Sequence, residues 1–229
     1  IDASNITTLT GAAADLNTAY ASSGISNLGD EAVTLTDTSL TASILNTLDG
    51  NTSGSIDANS INTLAGSAAD LNTAYASSGI SNLGDEAVTC TDTSLTATVL
   101  NTLDSNTSGT IDASNITTLT GAAADLNTAY ASSGISNLGD EAITLTDTSL
   151  TATVLNTLDG NTSGTVNANT VSTLTGAAAD LNTAYASSGI SNLGDEAITL
   201  TDTSLTASIL NTLDSNTSGT IDASNITTL

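Results

Sequence analysis

The chain is a strict tandem array, with no insertion or deletion to disturb the register. The stretch from Ala13 to Ala32 returns unchanged at Ala68, Ala123 and Ala178. The sequence is therefore one continuous array over 1–229, with repeats at 1–55, 56–110, 111–165 and 166–220 and a partial repeat at 221–229. Such a strict period restricts the fold severely. Each unit must pack against a copy of itself, and stacking along one axis buries a seam that no unit closes alone. Residues Ile221–Leu229 repeat Ile1–Leu9, so the chain reads as an excerpt of a longer array.

Differences between repeats mark the core. Val33 becomes Ile143 and Ile198, Ile44 becomes Val99, and Leu35 becomes Cys90. These exchanges keep an apolar group of similar volume, as buried positions require. Cys90, the one cysteine, reads as a small hydrophobe in place of leucine.

Two helical patterns of unequal length occupy each period. Ile6, Leu9, Ala13, Leu16 and Tyr20 lie on one helical face. Gly11 weakens that pattern, which favours a start at Thr10, and Gly24 fits a C-terminal cap. In the second pattern Leu40, Ile44 and Leu48 step by four with Leu45 beside them, and Asp37 or Ser39 is the expected N-cap. Val33–Thr36 and Ser55–Ala58 read as short strands. The expected fold is an α/β tandem-repeat solenoid of short strands and helices, with two coils per 55-residue period. Strands stack about 4.8 Å apart and helices about 8–10 Å apart, so the side of the sheet taken by each helix stays open.

Composition narrows function. Lys, Arg and His are absent, and 24 Asp and Glu residues give a formal charge of −24. Such a chain makes no internal side-chain ion pairs, cannot neutralise phosphates and is repelled by anionic membranes. Divalent cations and copies of itself remain as expected partners, with neither nucleic acid nor membrane insertion. Without His or Lys no ordinary base is present to activate a serine, so no enzymatic activity is expected.

The sharpest local motif follows the second helical pattern. Asp49, Asn51, Ser53 and Asp57 occupy loop positions 1, 3, 5 and 9 of a calcium-loop-like segment, with Gly54 at position 6 and Ile56 at position 8. The same pattern recurs at Asp104, Asn106, Ser108 and Asp112, at Asp159, Asn161 and Ser163, and at Asp214, Asn216, Ser218 and Asp222. Calcium (Ca2+) is the one cofactor it suggests. Position 9 loses its charge at Asn167, and position 12, where an acid is needed, is Ser60, Asn115, Thr170 or Asn225. An Asx-type turn is the alternative. The acidic pair Asp30–Glu31 reads as a solvated turn or a second cation site, its two side chains pointing to opposite sides.

The runs Thr8–Ser22 and Ala32–Asp49 resemble repeats of giant acidic tandem-repeat proteins, secreted or at the surface of marine cyanobacteria and other Gram-negative bacteria. The resemblance covers the whole chain. It implies an extracellular or cell-surface location, export by a signal elsewhere, and calcium dependence in many relatives. The resulting expectation is a structural protein forming a filament, surface fibre or adhesin stalk. The alternative is a calcium-binding adhesin region that folds or stiffens on Ca2+.

Overall fold

The computed structural model describes all 229 residues, Ile1–Leu229. The first period carries β1 (Thr8–Gly11), α1 (Ala13–Tyr20), β2 (Ala32–Leu35), β3 (Ser39–Thr41) and α2 (Ala42–Asn51). The second carries β4 (Ile56–Asp57), β5 (Thr63–Gly66), α3 (Ala68–Ala76), β6 (Ile80–Ser81), β7 (Ala87–Cys90), β8 (Ser94–Thr96) and α4 (Ala97–Asn106). In the third are β9 (Ile111–Asp112), β10 (Thr118–Gly121), α5 (Ala123–Ala131), β11 (Ile135–Ser136), β12 (Ala142–Leu145), β13 (Ser149–Thr151) and α6 (Ala152–Asn161). The fourth holds β14 (Val166–Asn167), β15 (Thr173–Gly176), α7 (Ala178–Ala186), β16 (Ile190–Ser191), β17 (Ala197–Leu200) and α8 (Ala207–Asn216), and β18 (Ile221–Asp222) follows. The fold is an α/β solenoid of repeated strand–helix units.

Two compact units divide the chain. The first comprises Ile1–Asp92, Val99–Asn115 and Ser133–Asn137. It holds the parallel sheets β1-β2-β4-β6 and β3-β5-β7-β9-β11, and α2 packs between α1 and α3. The second comprises Thr93–Thr98, Ile116–Ser132 and Leu138–Leu229. Its parallel sheets are β8-β10-β12-β14-β16 and β13-β15-β17-β18, and α5, α6, α7 and α8 pack in succession. Within each unit, these consecutive helices lie against one another on the same side.

A nearly constant ladder step organises the first unit. Leu9 pairs with Val33, Leu40 with Leu64, and Leu64 with Val88, the same interval each time. Val88 pairs with Ile111, an interval one position shorter. Two full steps plus the segment from Val33 to Leu40 carry the chain from Leu9 to its equivalent, Leu64. Between Val33 and Leu40 the chain passes from one sheet to the next, β2 lying inside the first and β3 forming the edge of the second.

Inward-facing residues of each strand form the core. Leu40, Leu64, Val88, Ile111 and Ile135 are all buried along one sheet, together with Ala42, Leu45, Leu48, Ala68 and Leu71 of the helices. Cys90 is fully buried at the end of β7, where its Sγ donates to Asp92 Oδ2 at 3.2 Å. Burial above all, reinforced by the Asp92 carboxylate, pushes its thiol up to about 11, which suits an inert packing residue.

Local structure departs from the sequence reading in four places, the first being Leu40, which lies in strand β3 and not in the helix that starts at Ala42. Leu9 belongs to strand β1, and the first helix begins at Ala13, because Thr-Leu-Thr-Gly fits a ladder as well as a helical face. The helix ends at Tyr20, or at Ala76 in the next repeat, short of the expected glycine cap. Asp37 does not cap the helix that follows it. Its carboxylate reaches back one ladder step and accepts the Ala13 N–H at 2.8 Å, at the start of α1. Asp92, Asp147 and Asp202 do the same for Ala68, Ala123 and Ala178. In α6 and α8 the residue before the helix, Thr151 or Thr206, accepts the first-turn N–H instead.

Candidate functional site

The calcium-like segment lies where the chain leaves α2 and enters β4, with Thr52 already extended (φ −129°, ψ 146°). Its side chains turn along the array to neighbouring coils. Asp49 Oδ2 accepts from Ser77 Oγ at 2.7 Å, and Asp159 does so from Ser187. Asn51 Nδ2 donates to Asn17 Oδ1 at 2.9 Å, a pairing repeated by Asn106 with Asn72, Asn161 with Asn127 and Asn216 with Asn182. Ser53 donates to the Gly29 carbonyl through both N–H (2.7 Å) and Oγ (3.1 Å). Ser108, Ser163 and Ser218 repeat this on Gly84, Gly139 and Gly194.

Position 9 has the clearest physical account. Asp57 Oδ1 accepts both the Asn59 N–H (3.1 Å) and Asn82 Nδ2 (2.9 Å), and Asp112 receives Ser114 and Asn137 in the same way. Asn167 keeps both bonds through its single carbonyl oxygen, from Asn169 N–H and Asn192 Nδ2. The position needs one acceptor atom, not a charge. Asp222 Oδ1 accepts the Ser224 N–H at 2.9 Å. The carboxyls of Asp57 and Asp112 are held below their ordinary value chiefly by the asparagine bond and then by the backbone N–H.

Position 12 is a donor. Ser60 Oγ bonds the Leu35 and Asp37 carbonyls, Thr170 does the same at Leu145 and Asp147, and Asn115 and Asn225 reach the Cys90 and Leu200 carbonyls. An acid here would lose those bonds, which accounts for Ser, Thr or Asn at every copy. The spacing that resembles a calcium loop thus has a second physical origin, a set of hydrogen-bonded rungs between coils. The carboxylates of Asp49 and Asp57 serve different partners, Ser77 and Asn82.

Gly54 sits against the backbone of the neighbouring coil. A Cβ there would overlap the Glu31 carbonyl, so the glycine allows two backbones to touch. That contact leads to a feature the sequence reading missed. Of the acidic pair, Asp30 is exposed as expected, but Glu31 is fully buried, as are Glu86, Glu141 and Glu196 to within 2%.

Each buried glutamate sits in the same clasp. Glu31 Oε2 accepts the Gly29 N–H at 2.8 Å and the Tyr20 hydroxyl at 3.2 Å. Tyr75, Tyr130 and Tyr185 donate to Glu86, Glu141 and Glu196, at 3.3, 2.9 and 2.9 Å. Gly29 holds φ at +146°, a conformation open to glycine, and Asn27 takes the left-handed φ of 62° that asparagine tolerates. Burial alone would raise the Glu31 carboxyl. Hydrogen bonds from the Gly29 N–H, its own N–H, the Tyr20 hydroxyl and the Asp30 N–H outweigh burial and hold it below the ordinary value. Burial, opposed by a threonine hydrogen bond and reinforced by the neighbouring Glu and Asp carboxylates, pushes the phenols of Tyr75, Tyr130 and Tyr185 well above theirs.

The clasp faces the next coil. The Glu31 carbonyl accepts Thr52 Oγ1 at 3.3 Å, beside the Ser53–Gly29 bonds and the Gly54 contact. One signal in the sequence points to it: the chain has four Tyr and four Glu, paired at the same short interval in every repeat, Tyr20 with Glu31 through to Tyr185 with Glu196. Comparison with known protein families, curated proteins and solved structures finds no match to this chain. No helix is long and apolar enough to cross a membrane.

Proposed function

We propose that this chain is a structural repeat region of an extracellular or cell-surface filament, fibre or adhesin stalk. The observation that carries the reading is the recurring coil-to-coil bonding within each unit. Ladder pairs, the Asp37-type caps, the Asn51-type rungs and the clasps all join a coil to the one before or after it. Carboxylates, amides and hydroxyls of the kind that serve ligands elsewhere here continue the array. Repetition of one heterologous contact extends an assembly without closing it.

The acidic surface fits such a role outside the cell. Twenty aspartates, none of them buried, discourage side-by-side association, and divalent cations relieve the repulsion by screening. The absence of Lys and Arg leaves no cleavage point for trypsin-like proteases. Electron microscopy of the native material tests the proposal. Long uniform fibres or stalks support it, and isolated short particles overturn it.

A further inference from the structure

The clasps place a titratable group at the one point where a loop both shapes itself and receives the next coil. All four glutamates of the chain are in them, as are all four tyrosines, and every acid that reaches solvent is an aspartate. Glu31 fixes the Gly29 N–H, and the loop so shaped offers the Gly29 and Glu31 carbonyls to Ser53 and Thr52. Its second oxygen, Oε1, is buried without a hydrogen-bond partner, as is that of Glu196. That unpartnered oxygen is the atom at which a proton can add without displacing a donor.

We propose that the buried glutamate and tyrosine form an acid-operated latch between coils. As a carboxylate, the glutamate accepts from the Gly29 N–H and the Tyr20 hydroxyl, and the loop holds the next coil. A proton from solvent, added to the carboxylate, removes the charge that strengthens both bonds and replaces an acceptor with a donor. The loop then releases Thr52–Gly54. The groups facing Glu31 are Tyr20 on α1, Asp30 on its own loop and the Thr52 hydroxyl on the next coil. No cation is among them, since the chain has no basic side chain. The direction follows from a carboxyl held low in the folded state. Its stabilisation is present above the unfolded glutamate value and is lost as pH falls through the folded one. The latch is closed at neutral pH and opens in acid.

The chain carries its own probes. It has no Trp, so tyrosine emission reports on the clasps alone, and selective labelling of Glu Cδ with 13C reports on the four carboxyls. Both are followed at low concentration from pH 7 to 2.5 on the 229-residue chain. The expected result is a tyrosine change that tracks Glu Cδ titration, reduced by about a quarter in Glu141→Gln, since one of four clasps is removed. The 20 aspartates are common to both proteins and so cannot produce the difference. A constant tyrosine signal while Glu Cδ titrates, or full amplitude in E141Q, overturns the latch. Should E141Q fail to fold, Tyr20→Phe keeps the Glu31 carboxyl and removes one of the donors that hold it low. The Glu31 Cδ signal then titrates at higher pH, and an unchanged titration overturns the proposal.

Discussion

Replacing Asp147 with alanine tests whether a helix is capped from the neighbouring coil. Asp147 Oδ2 accepts the Ala123 N–H at 2.7 Å, so the variant removes the cap of α5, one ladder step upstream, and leaves α6 with its own Thr151 cap. Loss of an N-cap side chain costs about 1 kcal/mol, within a range of about 0.5–2. Loss of a negative charge at a helix N-terminus adds about 0.3–1 kcal/mol. Together these give about 1–3 kcal/mol, or roughly 5- to 150-fold in a local opening equilibrium. The assay is native-state hydrogen exchange by NMR, which resolves local opening where a global melting curve averages over the repeats. Amides in the first turns of α5 should exchange faster by that factor, while those of α6 change little. Asp147→Asn keeps an acceptor and loses the charge, so it should retain most of the protection. Faster exchange in α6 with α5 unaffected would refute the cross-coil cap.

Two glycines in one repeat should respond in opposite directions. Gly164→Ala drives a Cβ into the Glu141 carbonyl, where backbone must move, and should cost about 3 kcal/mol or more in urea unfolding, in the upper range for overpacking. Gly160 is helical with open space around its Cβ position, so Gly160→Ala should stabilise by about 0.5–1 kcal/mol. Cys90→Leu restores the residue found at Leu35, Leu145 and Leu200 and should change stability by less than about 1.5 kcal/mol. In the unaltered chain the thiol should resist aromatic disulfide reagents at pH 8 until denaturant is added, and rapid labelling of the native chain would contradict its burial. Asp57→Asn copies the natural Asn167 and should leave the circular-dichroism melting temperature unchanged, with or without millimolar calcium at fixed ionic strength. A calcium-dependent rise in melting temperature that this variant abolishes would establish Asp57 as a ligand.

Much of the fold is legible because the period repeats apolar residues in register. Val33 and Ile56 read as strand residues from local alternation alone, and they pair in one sheet. Leu9 reads as helical because a four-residue strand running into a helix continues the helical spacing. Asp37 points to the wrong helix because sequence shows only local neighbours, whereas its partner is Ala13, one coil back. Asp49, Asn51, Ser53 and Asp57 group as candidate ligands because they stand close together in sequence. Residues close in sequence read as convergent, yet each bonds a different partner on a neighbouring coil. Glu31 is hidden by its chemistry. A carboxylate in a chain without cations is expected in water, and only three-dimensional placement of Tyr20 and the Gly29 N–H shows how it is satisfied.

The ladder step has a consequence for how such an array changes over time. Rungs join positions at fixed intervals, as Val33 to Ile56 or Asn17 to Asn51, and each recurs once per period. A duplication or loss of one whole period therefore restores each bond with an equivalent residue, wherever in the repeat the exchange falls. Unequal recombination between repeats can lengthen or shorten the protein without creating a junction that differs from those already present. Length becomes a heritable variable separable from stability. A gain or loss of any fraction of a period misaligns the caps, rungs and clasps of a coil at once.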